Sequence, residues 1–139
     1  PMEGHHDTNA SEQVMSHMKN RDKCIMLGEN FTPNQYLNFI GDCELTIGMR
    51  LHALIFSTIM GVPHIGLSYD KKVESLLKRS GMWEYSADLM ALDPAKLTAT
   101  AIKMLDDREA HSAIVQQNAE IMRKEAVRNV ELLKENFVK

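Results

Sequence analysis

Between residues 44 and 81, short apolar runs alternate with helical patterns, and the links between them are only a few residues long. Glu44-Leu45-Thr46-Ile47-Gly48 reads as a strand. Leu51 to Met60 follows as a helix that is apolar nearly all round, which only a buried helix tolerates. Gly61 ends it. Val62 to Ser68 reads as the next strand, and Lys71 to Arg79 as an amphipathic helix closed by Gly81. Strand and helix in alternation with short links imply parallel strands joined by right-handed crossovers. The expected fold class is therefore α/β, a doubly wound parallel sheet.

The rest of the chain extends this pattern. Cys24-Ile25-Met26-Leu27-Gly28 reads as a buried strand. Thr32 is an N-cap, and Pro33 sits at the first position of a helix reaching about Gly41. Asp88-Leu89-Met90 suits a short edge strand. Asp93-Pro94 opens a helix ending near Asp106. Arg108 to Phe137 reads as one long polar helix with an apolar stripe at Ala113, Ile114, Ile121 and Val130. At the start, a strand end at Pro1, a loop Gly4-His5-His6-Asp7 and a helix from about Ser11 to Met18 are expected. The 139 residues suffice for one domain, residues 1–139. The opening Pro1-Met2-Glu3-Gly4 reads as a chain entering in mid-fold, so a fragment is expected.

Composition excludes several classes. The net charge is −3 with no basic stripe, which argues against nucleic-acid binding. The longest apolar run, Ala53 to Met60, is too short to span a bilayer. No secretory signal pattern is visible, and a cytoplasmic protein is expected, peripheral at most at the inner membrane face. Two cysteines, Cys24 and Cys43, fit a reducing compartment and read as small buried hydrophobes. There is no CxxC or HExxH for zinc, no GxGxxG or GxxxxGK[ST] for nucleotide phosphates, and no GxSxG elbow.

In an open parallel sheet, ligands bind beyond the carboxyl ends of the strands. Here those ends are Gly28-Glu29-Asn30, Gly48-Met49-Arg50 and Ser68-Tyr69-Asp70, joined by the loop around His5 and His6. Arg50 and His52 stand at the mouth of the buried helix, where free N–H groups and the helix dipole favour an anion. Arg offers a planar fork to a carboxylate or phosphate. His moves a proton near neutral pH. Lys71 and Lys72 open the next helix and add positive charge. Structural readings compete. Arg50 can pair with Asp42 or Glu44, His52 can be a core histidine on a carbonyl, and Lys71 and Lys72 can form a solvated face. His64, inside a strand, reads as structural.

The run Gly48-Met49-Arg50-Leu51-His52-Ala53-Leu54-Ile55-Phe56, then Gly61-Val62-Pro63, then Gly66-Leu67-Ser68-Tyr69-Asp70-Lys71-Lys72-Val73, resembles the polysaccharide pyruvyl transferase family. The nearest branch pyruvylates bacterial cell-wall polysaccharide. The family pattern is close to GMRLHALIFA…GVP…GISYDPKV; this chain has Ser57 in place of Ala and Lys71 in place of Pro. The resemblance is specific over residues 44–76 and weaker around Pro1 to Asp7 and Glu29. It implies a GT-B-like enzyme with two Rossmann-like domains, of which this is the C-terminal, donor-binding one. Arg50, Leu51, Lys72, Glu29 and Tyr69 would bind substrate, and His52 would be catalytic. Lys72 aligns with the Lys of the family pattern; spacing alone does not choose it over Lys71.

The implied reaction transfers pyruvyl from phosphoenolpyruvate to sugar hydroxyls as a ketal. The donor is a substrate, and no cofactor or metal is expected. The acceptor would be a polysaccharide or lipid-linked glycan meeting mainly a missing N-terminal domain. The isolated fragment is expected to be inactive and to form a homodimer through an apolar patch near its final helix. Two alternatives stand beside this reading. One is the donor domain of a GT-B nucleotide-sugar glycosyltransferase or epimerase; the other is a non-catalytic interaction domain in which Arg50 and His52 are structural.

Overall fold

A computed structural model describes residues 4–27 and 31–137, with the side chains of residues 4–7 and 137 outside the description. The backbone divides into two compact units, Pro1–Asn34 and Gln35–Lys139.

In the first unit, helix α1 spans Gly4–Ser16. His5 and His6 therefore lie in a helix, not in the loop expected for them. Neither Gly nor Pro interrupts the chain between His5 and Ser16, so the helix has no reason to wait for Ser11. A 3-10 turn, Arg21–Lys23, follows, and residues 24–27 form no strand. Ile25 is 84% exposed, so the expected buried strand is corrected. A four-residue apolar run carries no periodicity by which to separate strand from loop.

The second unit holds the sheet. Helix α2 spans Pro33–Gly41, β1 Thr46–Gly48, α3 Leu51–Ile59, β2 His64–Ser68, α4 Lys71–Ser80 and β3 Ala87–Asp88. Two longer helices follow, α5 Pro94–Asp106 and α6 Arg108–Phe137. The strands are parallel in the order β1-β2-β3. Thr46 pairs with His64, Gly48 with Gly66, and Leu67 with Ala87. The edge strand thus comes one residue earlier than expected, and Leu89–Ala91 turns into a 3-10 helix. With strands advancing in one direction, right-handed crossovers put α3 and α4 on the same face, and the two helices touch. The described strands are thus singly wound, where a doubly wound sheet was expected.

The core joins α3, β2, α4, α5 and α6 through Leu54, Ile65, Val73, Leu77, Met104 and Val115. Full burial of each such side chain stabilises by roughly 1.5–3 kcal/mol. Gly66 lets α4 lie close on β2: a Cβ there would come within 2.5 Å of Leu77 Cδ1. Gly81 closes α4 with φ +79°, a left-handed conformation that favours glycine.

Polar groups inside are paired. Ser57, fully buried, lies 2.7 Å from Thr46 Oγ1 and donates to or accepts from it, tying α3 to β1. His64 Nδ1–H donates to Val62 O at 3.0 Å, and its Nε2 lies 3.1 Å from Ser80 Oγ. His64 is therefore the structural histidine expected. Among the described residues, no buried side-chain nitrogen or oxygen lacks a partner.

The inward face of helix α6 is not its apolar stripe. His111 and Val115 are buried and Met122 partly so, whereas Ile114, Ile121 and Val130 are 39%, 50% and 52% exposed. His111 is accommodated because its Nδ1–H donates to Asp107 O at 2.8 Å and its ring meets Tyr85 edge-on at 4.7 Å. A polar residue on the inner face hides that face from a hydrophobic pattern. An apolar groove of about 590 Å³ runs between α3, α4 and α6, lined by Ile55, Ile59, Leu76, Ala119 and Met122 among others. No helix among the described residues is long and apolar enough to cross a membrane.

Candidate functional site

Because β1, β2 and β3 are parallel, the segments after Gly48, Ser68 and Asp88 emerge at one end of the sheet. That end carries the starts of α3 and α4. Arg50 is the N-cap of α3, with extended backbone (φ −77°, ψ 127°), and Leu51 and His52 form the first turn. Leu51 packs partly buried against the core, which anchors that turn. Arg50 and His52 are both exposed, so His52 is not a core histidine. Tyr69 is 50% exposed in the link between β2 and α4, and Lys72 is exposed in the first turn of α4. Glu29, the remaining expected binding residue, lies outside the described residues.

The two helix starts differ in charge. Asp70 caps α4: its Oδ1 accepts from Lys72 N at 2.8 Å and Val73 N at 2.9 Å, and Glu74 adds a carboxylate to the first turn. Asp93 caps α5 the same way, accepting from Ala95 N and Lys96 N. In α3 no side chain caps the first turn and no acidic residue lies in it. The N–H groups of a first turn need acceptors. At α4 and α5 an aspartate supplies them; at α3 the flanking side chains are Arg50 and His52.

Beyond the ends of β2 and β3 lies a cleft of about 370 Å³, lined by Tyr69, Asp70, Lys71, Glu74, Trp83 and Asp88 with Ser68, Ser86 and Met90. Trp83 and Asp88 were not singled out from the sequence. Trp83 sits in an aperiodic turn after Gly81, where the one available signal is a lone tryptophan outside any apolar pattern. Lys78 lies over its ring, 5.0 Å from the centroid.

The cysteines, expected to be buried, are not. Both are free and only half-buried. Burial, and then the nearby Asp42 charge, push the Cys43 thiol up, away from the reactive thiolate. Among the described residues, no group of three or more His, Cys, Asp or Glu side chains is placed to hold a metal ion.

Fold and site together define an α/β domain with a cationic helix start at the carboxyl end of a parallel sheet. The model of the polysaccharide pyruvyl transferase family matches residues 2–71, half of the chain, and the chain belongs to that family. Arg50, Leu51, His52 and Tyr69 fall inside the matched segment; Lys72 lies one residue past it. The chain is 28% identical over 111 residues to the amylovoran biosynthesis protein AmsJ of Erwinia amylovora, a match covering 80% of this chain and 26% of AmsJ. The chain thus spans about a quarter of the length of that relative. No solved structure shows a significant match.

Proposed function

We propose that this chain is the donor-binding half of a GT-B-like polysaccharide pyruvyl transferase, seating phosphoenolpyruvate at the start of α3. The observation that carries this reading is the contrast between helix starts: α4 and α5 are capped by aspartates, whereas α3 begins with Arg50 and has no carboxylate in its first turn. Family membership supplies the reaction class, and the name of AmsJ links a relative to exopolysaccharide synthesis.

Phosphoenolpyruvate carries a carboxylate and an enol phosphate. Arg50 takes one anionic group through two parallel N–H donors, and the first-turn N–H groups of α3 take the other. Lys72, from the adjacent strand's helix, adds a point charge. Ketal formation begins when a proton reaches the methylene carbon, leaving cationic character on the carbon that bears the phosphate. One sugar hydroxyl adds there and loses its proton. The second hydroxyl then replaces the phosphate, which departs with the bridging oxygen. In this reading His52 carries the proton between the first hydroxyl and the methylene, and the second hydroxyl's proton leaves with the phosphate.

A positioned acid–base group contributes on the order of 10²–10⁴ in rate. In an active pyruvyl transferase containing this domain, His52→Ala is expected to lower turnover by about that factor with phosphoenolpyruvate binding largely retained. Near wild-type turnover in that variant would remove His52 from the chemistry.

A further inference from the structure

The cleft beyond β2 and β3 differs in kind from the start of α3. Two aromatic side chains line it with large exposed surfaces, Tyr69 at 50% and Trp83 at 38%. Three carboxylates, Asp70, Glu74 and Asp88, face it against one lysine, Lys71. Lys78 pairs with Glu74 and lies over one face of the Trp83 ring, leaving the other face for a ligand; even with Lys78 counted, three carboxylates stand against two lysines. An anionic donor is repelled by such a lining. Nucleotide phosphates are disfavoured for the same reason, and the carboxylates are not grouped to hold a cation.

What the lining fits is a neutral ring carrying hydroxyls. Aromatic faces stack on the C–H face of a sugar, and carboxylate oxygens accept from its hydroxyls. Asp88 has an oxygen to spare: Oδ1 accepts from Met90 N at 2.8 Å, capping the 3-10 turn, and Oδ2 remains for a hydroxyl. The cleft also has the right neighbour. The segment Tyr69-Asp70-Lys71-Lys72 starts at its wall and ends at the lysine assigned to the donor. A ring stacked there lies on the β3 side of the donor seat at α3, within the same end of the sheet.

We propose that this cleft is a saccharide subsite, holding a neutral hexose unit of the acceptor glycan between Tyr69 and Trp83 with Asp88 on its hydroxyls. The assignment to the acceptor rests on the donor reading above; the saccharide chemistry of the cleft does not.

Trp83 is the single tryptophan of the chain, so its fluorescence reports on this cleft alone. The test titrates the 139-residue protein with methyl galactoside, methyl glucoside and methyl mannoside, and separately with phosphoenolpyruvate and uridine monophosphate. At least one glycoside is expected to shift the emission saturably and to shield Trp83 from acrylamide, while phosphoenolpyruvate leaves both unchanged. Asp88→Asn keeps the capping oxygen and removes only the second carboxylate oxygen. It is expected to weaken the glycoside response about tenfold or more, with an unchanged melting curve as the check on folding. Tyr69→Ala is expected to weaken it as well. No response to any glycoside, or one identical in wild type and both variants, overturns the proposal. So does a response to uridine monophosphate in place of the glycosides. Silence toward glycosides with phosphoenolpyruvate still bound through Arg50 sinks this subsite and leaves the donor reading standing. A glycoside response without phosphoenolpyruvate binding supports the saccharide site and sinks the donor reading.

Discussion

The imidazole of His64 and the hydroxyl of Ser80 meet 3.1 Å apart inside the core, joining strand β2 to the last turn of α4. With Nδ1–H given to Val62 O, the neutral ring presents the Nε2 lone pair to Ser80. The serine has one hydrogen and a second acceptor in reach, Leu77 O at 3.2 Å. Strand and helix are thus coupled by a proton that two acceptors share.

Burial lowers the His64 pKa from its ordinary 6.5, partly opposed by the bond to Val62. The unfolded chain therefore binds a proton that the folded chain refuses. Stability is expected to fall as pH drops below about 6.5, by at most about 1.4 kcal/mol per unit, until the folded-state value is reached. Urea denaturation at pH 7.5 and 5.0 measures this. The difference should shrink in His64→Gln; an equal difference in both proteins would assign the effect to other groups.

Gly66 and Gly48 pair across β1 and β2 yet meet different surroundings. A Cβ on Gly66 would strike Leu77 at 2.5 and 2.7 Å, whereas one on Gly48 would make ordinary contacts at 3.6 Å or more. Gly66→Ala is expected to cost about 1–3 kcal/mol, and Gly48→Ala to stay within about 0.5 kcal/mol of wild type. Paired denaturation curves decide it. Equal effects would mean that α4 is free to move off the strand.

The two capped helices offer a calibration. Asp93→Ala removes the acceptor for Ala95 N and Lys96 N and is expected to cost about 1 kcal/mol. Asp70→Ala removes the acceptor for Lys72 N and Val73 N and is expected to cost about as much. Thermal melts in which neither variant loses stability would contradict the capping role of both aspartates.

Much of this was legible in residues 44–81. There the apolar periods and the stops at Gly61 and Gly81 point the same way, and the elements fall within a residue or two of their expected ends. The placement of Arg50 as an N-cap followed from the same pattern. Legibility failed where a signal is local or ambiguous. Residues 24–27 are apolar but too few to show a period. The inner face of α6 depends on His111, whose burial becomes acceptable only through Asp107 O and the Tyr85 ring. Trp83 comes to the cleft through a turn, which no periodicity marks. The separation of an anion-suited helix start from a carboxylate-lined cleft is likewise a property of the sheet's end, assembled from segments about twenty residues apart.

The central claim is that the start of α3 seats phosphoenolpyruvate through Arg50. The most direct measurement follows the His52 and Arg50 side-chain NMR signals during titration with phosphoenolpyruvate, in parallel with UDP, and repeats both in Arg50→Ala. The account predicts saturable shifts at His52 with phosphoenolpyruvate, absent with UDP and lost in Arg50→Ala. A response to UDP alone, or shifts that survive in Arg50→Ala, would contradict it.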